Sequence, residues 1–248
     1  MKKYYLIILL ILKLVNNMKY NELLNKLYEN KDEKYKLFND KIINTKLKTI
    51  GVKTPILKLI AKDIIKKDYN YFLDNVKNNY YEEVFLEGLV ITSIKNYDEM
   101  IQRLNKYVSK IDNWAICDMV IANAKIINKN KDKTLDYIKN NIKSNNEWKK
   151  RVCFVMLIDY FIEEKYLSFI FDYIENDSSN FYYVYMAKAW LISICYIKYP
   201  DTTLEYLKRT KIDDKVYNKA ISKICDSKRV LKEDKIILKN MKKNRLNA

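Results

Sequence analysis

The chain reads as all-α, an α-solenoid of HEAT-like helical repeats, and three observations carry that reading. Glycine and proline are nearly absent: Gly51, Gly88, Pro55 and Pro200 are the complete set in 248 residues, whereas a sheet protein needs turn-forming residues about every 8–12 positions. Apolar residues recur at helical spacing almost without a break from Met18 onward. The helices so marked fall into pairs that repeat roughly every 35–40 residues, the period of stacked helical arrays. Apolar residues are 49% of the chain, enough to build a core and too many for disorder. A compact orthogonal bundle is the alternative arrangement of the same helices.

Met1-Lys2-Lys3 precedes an apolar run, YYLIILLIL at 4–12. The run is short of the ~20 residues that span a bilayer comfortably, and no small-residue cleavage site follows it. Residues 1–17 are therefore read as an apolar N-terminal extension, with translation expected to begin at Met18, and 18–248 as a single HEAT-like repeat domain. Leu23, Leu24 and Leu27 mark a first amphipathic helix, and Tyr35, Phe38 and Ile42 the core face of a second. Gly51 and Pro55 bracket a turn, and Thr54-Pro55 opens the helix carrying Leu57, Ile60, Ala61 and Ile64. Tyr71, Phe72 and Val76 mark the next. Helices over 81–94, 98–109 and 113–127 follow, the last capped by Asp112 or Asn113. The later half places helices at 132–142, 147–161, 165–174, 181–197, 202–209, 213–225 and 232–241, joined by short Asn-, Asp-, Ser- and Lys-rich connections with no linker. Helices 113–127 and 147–161 are apolar nearly all round, as expected where neighbouring repeats cover both faces.

Composition removes whole classes of chemistry. Without histidine there is no Ser-His-Asp or Cys-His machinery and no His-ligated metal. Two distant glycines cannot make a phosphate-cradling loop or a dinucleotide fingerprint. Cys117, Cys153, Cys195 and Cys225 have no C-x-x-C spacing and lie in apolar helical runs, which points to buried thiols in a reducing, cytoplasmic compartment. Neither a metal nor a cofactor is expected, and chemistry falls to carboxylates, Arg/Lys, Tyr and Trp. Lys+Arg exceed Asp+Glu by 47 to 31, a formal +16. That excess suggests an anionic partner, nucleic acid first and an anionic membrane second, although codon bias toward Lys and Asn accounts for part of it.

One stretch stands apart: I-D-N-W-A-I-C-D at 111–118 sets Trp114 four residues before Asp118, on one helical face. A carboxylate in so apolar a helix needs a partner or a purpose. Arg151 follows Trp148 by three positions in E-W-K-K-R, and Trp190 closes M-A-K-A-W. The residues alone leave structural readings open. Asp118 has Lys125 or Arg151 as a bridge partner, and Trp114, Trp148 and Trp190 suit a core. Glu82, Glu83 and Glu87 read as a solvated face or a set of bridges rather than an acid pair, and 239–245 as a solubilising or phosphate-contacting tail.

Five segments carry a resemblance: I-G-V-K-T-P-I-L-K-L-I-A-K (50–62), E-E-V-F-L-E-G-L-V-I (82–91), I-D-N-W-A-I-C-D (111–118), E-W-K-K-R-V-C-F-V-M-L (147–157) and A-K-A-W (187–190). In this order, and over about 18–243, the chain resembles the DNA alkylation repair family, the AlkD type of HEAT-like-repeat DNA glycosylases. The resemblance implies excision of cationic 3- or 7-alkylpurines from double-stranded DNA without metal or cofactor, by a monomer that contacts the DNA backbone through a basic concave surface and no membrane. It matches Asp118 to the catalytic carboxylate, Trp114 and Trp190 to tryptophans packed on the damaged nucleotide's backbone and sugar, and Arg151 to the arginine holding the lesion-bearing strand. Two departures stand out. Ser193, Ile194 and Cys195 replace an Arg-Glu-Tyr stretch of active members, and the segment before Gly51 is short, leaving Tyr35 as a loose candidate for a lesion-inserting tyrosine. A non-catalytic HEAT-repeat binder of damaged or branched DNA is the alternative, and a protein-interaction scaffold the third reading. Mass spectrometry of the native N-terminus is expected to find no peptide containing residues 4–12; such a peptide would overturn the Met18 start.

Overall fold

The computed structural model describes residues 19–242, so the expectations for 1–17 and for the end of the basic tail lie outside the described residues. The described chain is helical throughout, with a few 3-10 turns and no β-structure beyond isolated bridges. It falls into two compact units that meet between Asn123 and Ala124.

The first unit holds α1 (19–29), α2 (Glu33–Ile42), α3 (Thr54–Lys67), α4 (Tyr69–Asn75), α5 (Tyr81–Ile91), α6 (Tyr97–Tyr107) and α7 (Trp114–Ile121). Their starts follow local chemistry. Asp32, Asp68, Asn96 and Asn113 each accept a backbone N–H of the first turn, and Pro55 sits where its missing N–H costs nothing. α5 packs against both α3 and α7, with α6 on its flank, and each of its residues is buried. The second unit repeats the plan with α8 (Lys131–Asn141), α9 (Glu147–Tyr160), α10 (Leu167–Asn176), α11 (Tyr182–Lys198), α12 (Pro200–Arg209), α13 (Asp214–Asp226) and α14 (Lys232–Asn240). Here α11 packs on α9 and α13, while α12 flanks α11 and α14 flanks α13. In the first unit α3, α5 and α7 make an inner row flanked by α4 and α6, and in the second α9, α11 and α13 make one flanked by α8, α12 and α14. This is the order of a helical repeat, and it bears out the all-α expectation.

Four sequence expectations change. First, α7 stops at Ile121 instead of 127, because Asn123 turns the chain by donating to Leu89 O, Thr92 Oγ1 and Ser93 Oγ at the end of α5. Second, Phe38 and Ile42 are not core: they are 61% and 45% exposed, beside an exposed Leu37. The one buried residue of α2 is polar instead. Lys36 lies against Gly51, Asp40 accepts from Lys36 and Thr49, and Asn39 is buried. Third, Glu82 and Glu83 are no solvated face. Glu82 is buried and accepts the N–H groups of Ile50, Gly51 and Val52 at 2.9, 2.7 and 3.3 Å. Glu83 takes those of Asn79 and Tyr80 at 2.7 and 2.9 Å, closing the start of α5. Only Glu87 bridges a basic neighbour, Lys110 at 2.7 Å. Fourth, Cys225 is half-buried, whereas Cys117, Cys153 and Cys195 are buried as expected. Burial pushes the Cys153 and Cys195 thiols up to about 12, leaving them protonated and inert.

The inner row of the first unit depends on close approach at Gly88, where a methyl group would stand 2.5 Å from both Tyr107 Oη and Val120 Cγ2. Gly88→Ala is expected to lower stability by about 1–3 kcal/mol through overpacking, despite alanine's better helix propensity, as read by urea denaturation. Glu82→Ala strands three buried N–H groups and is expected to cost more, about 3–5 kcal/mol by the same measurement. Equal stability of either variant and the wild type would refute the packing or the capping role.

Candidate functional site

In the first unit, I-D-N-W-A-I-C-D is a braced helix start. Asp112 Oδ2 accepts from Thr45 Oγ1 at 2.7 Å and Lys46 N at 2.8 Å, and its Oδ1 accepts from Asn113 Nδ2 at 2.7 Å. Asn113 Oδ1 accepts the N–H of Ile116 at 3.1 Å, so Asn113, and not Asp112, caps α7. Ala115, Ile116, Cys117, Val120 and Ile121 are buried, which turns positions 114 and 118 away from the core. Trp114 is 37% exposed, and its indole N–H reaches Ile42 O at the end of α2, 3.2 Å away. Trp114 is therefore a surface residue with a fixed polar end, which excludes the simple core reading for it. Asp118 lies one turn further along and is half-buried.

In the second unit, E-W-K-K-R forms a clamp on the start of α11. Glu147 Oε1 accepts the N–H of Tyr183 at 2.6 Å, and Arg151 Nη1 donates to the carbonyl of the same residue at 2.6 Å. Glu147 and Arg151 are one turn apart on α9, so they grip both backbone groups of one residue. Trp148 is half-buried and lies on the Tyr183 ring at 4.7 Å, so it is a surface stacking partner and not the core residue expected. Arg151 is only 5% exposed, with its guanidinium 5.8 Å from the Tyr183 ring centre. Trp190 is half-buried on α11, and its carbonyl accepts from Ser193 Oγ at 2.7 Å. Ser193 is itself buried, so α11 offers no cation at the position where the resemblance expects arginine.

Trp114 and Asp118 thus stand on α7 of the first unit, and Arg151 and Trp190 on α9 and α11 of the second. Sequence reasoning missed the groups that hold the second pair. Lys150, next to Arg151, and Lys188, two residues before Trp190, both point at Asp177 in the α10–α11 connection and are buried with it. Lys188 contacts Asp177 Oδ2 at 2.6 Å and also donates to its carbonyl, while Ser179 Oγ donates to Oδ2 at 2.9 Å. A signal was available in the two lysines, each placed in an otherwise apolar helix. Burial pushes the Asp177 carboxyl up, but the two ammonium groups outweigh it and hold the carboxyl below the ordinary range.

The family model for DNA alkylation repair enzymes matches residues 23–224. The chain belongs to that family. No curated protein matches it. The matched stretch spans both units and includes Trp114, Asp118, Arg151 and Trp190. Membership ties the protein to DNA alkylation repair and makes DNA its substrate or partner. Among the described residues no helix is long and apolar enough to cross a membrane.

Asp177 anchors this repair protein's second pair, and its role is testable by pH. Asp177→Asn removes the counterion of two buried lysines and is expected to cost about 3–5 kcal/mol at neutral pH. Because the native carboxyl titrates below its ordinary value, its contribution is complete above roughly pH 4 and vanishes as pH falls through the native value. Denaturation curves of wild type and variant should therefore converge in acid, and a gap independent of pH would refute the ion-pair role.

Proposed function

We propose that the protein is a DNA glycosylase that excises cationic 3- or 7-alkylpurines from duplex DNA. The observation that carries this reading is the pair on α7: an indole held at the surface and, one turn on, a half-buried carboxylate, within a DNA alkylation repair family member. The reaction needs little from the protein. An alkylated purine already carries positive charge, so it leaves as a neutral base when the N-glycosidic bond breaks and its electron pair departs with the nitrogen. Positive charge then develops on the sugar, and a fixed carboxylate beside it lowers the barrier. Asp118 takes that role, either against the sugar or by orienting the water that adds at C1′ and releases its proton to solvent. Trp114 and Trp190 pack on sugar and backbone, and Arg151 holds a phosphate of the lesion-bearing strand. The formal charge of +16 suits such a backbone-directed protein and predicts steep salt dependence. The protein acts in the cytoplasm as a monomer on this reading.

A second reading has its own support. Buried Ser193 leaves α11 without a cation beside Trp190, which favours a DNA binder that does not turn over. Single-turnover release of 7-methylguanine from a duplex separates the two. The wild type is expected to release base, and Asp118→Asn to bind the same duplex while releasing it at least ~100-fold more slowly. Equal release by both proteins would remove Asp118 from the mechanism, and binding without release by the wild type would select the non-catalytic reading.

A further inference from the structure

Little apolar surface of α2 is buried. Its one buried residue is Asn39, and Leu37, Phe38 and Ile42 face solvent. What fixes its last turn is the connection that follows it. Thr49 Oγ1 donates to Asp40 Oδ1 at 2.7 Å. Thr45 Oγ1 and the N–H of Lys46 donate to one oxygen of Asp112, Oδ2, at 2.7 and 2.8 Å, and the N–H of Leu47 donates to Thr45 Oγ1 at 3.2 Å. The other oxygen of Asp112 accepts from Asn113 Nδ2, so the cap of α7 also orients that carboxylate. Two residues beyond Asp112, the Trp114 indole reaches back to Ile42 O, three residues before Thr45. The two contacts close a ring of short chain segments, 42–45 on one side and 112–114 on the other.

The members of this ring are unequal. An N–H to a carbonyl 3.2 Å away, on a side chain 37% exposed, competes with water and holds weakly alone. Bonds to an ionised carboxylate are shorter and about twice as strong. An indole tethered by its N–H alone stays free to turn about its side-chain bonds, because its acceptor sits on a helix that would itself shift. We infer that Asp112 and Thr45 are positioning residues for Trp114: their bond holds the end of α2 where Ile42 O meets the indole N–H. The inference rests on the reading in which Trp114 packs on the sugar and backbone of the damaged nucleotide. Neither residue needs to touch the DNA. They act through the indole, whose orientation one turn from Asp118 determines how closely sugar and carboxylate meet. The latch therefore bears on the rate of base release, and much less on affinity for the duplex, which phosphate neutralisation supplies.

The test reads the indole directly by nuclear magnetic resonance. Three tryptophans give three indole N–H signals in an isotope-labelled protein, and Trp114→Phe identifies the one from residue 114. In Thr45→Val that signal is expected to shift and to exchange with water roughly 10-fold faster, while those of Trp148 and Trp190 stay in place. Thr45→Ser keeps the hydroxyl and should keep the wild-type spectrum. Should valine disturb folding, Thr45→Ala carries the same test. In single-turnover assays on a duplex containing 7-methylguanine, Thr45→Val should release base about 10-fold more slowly at unchanged duplex affinity. An unmoved Trp114 signal would overturn the inference, as would a shift of all three signals together, which marks general loosening. So would a displaced Trp114 signal with base release at the wild-type rate. A wild type that releases no base would overturn the glycosylase reading, and the Trp114 signal would then decide the latch alone.

Discussion

An inner helix of this fold is covered on most of its faces, so each polar side chain that points into the fold must find its partner within the protein. α5 shows the rule most fully. It is buried from end to end, yet it carries Glu82, Glu83 and Glu87. Glu82 becomes the acceptor for the turn at 50–52, Glu83 closes the helix start, and Glu87 bonds Lys110. Tyr107 donates its hydroxyl to Val84 O across the ring's own contact with Gly88. These bonds fix the connecting segments to the inner row, and a carboxylate among N–H donors is worth more there than at a solvated surface.

The same rule places the candidate chemistry. α9 has ten buried residues, and the charged side chains Glu147, Lys150 and Arg151 in its first turns reach toward α11 or the segment before it. Arg151 and Glu147 hold Tyr183, while Lys150 and Lys188 converge on Asp177. The stretch that bears Trp190 is thereby held at two points, which leaves its indole a defined position at a half-buried edge. On α7 the brace is Asp112 with Asn113, and Trp114 is tied to the end of α2. Side chains set on capped, packed helices keep their geometry better than side chains on loops, as the proposed reaction with its one well-placed carboxylate would require.

Much of the fold was legible because its signals are local. Asn113 was readable as a cap and Thr54-Pro55 as a helix start, since capping and proline geometry act within one turn. The nearly all-round apolar character of 147–161 announced an inner helix. Illegible features depend on distant partners. The end of α7 is set by Asn123 bonding to groups some thirty positions earlier. The face of α2 read as core from Phe38 and Ile42 is exposed, because contacts with residues 49–51 set Lys36 against Gly51 and Asn39 is the residue that is buried. Glu82 and Glu83 looked like surface acids, because a sequence does not display the backbone N–H groups that they satisfy.

By itself the sequence determined the helical class, the pairing rhythm, the exclusion of histidine chemistry and, through the match over residues 23–224, membership of the DNA alkylation repair family. The first three follow from composition and short-range periodicity, which need no partner to be read. Only the tertiary structure decided which partner satisfies each buried polar group. It assigned Glu82 to a turn, Asp177 to two lysines and Asn123 to the end of α5. The physical reason is that burial and pairing are properties of groups brought together from distant positions, and the cost of an unpaired charge exists only once water has been removed from around it.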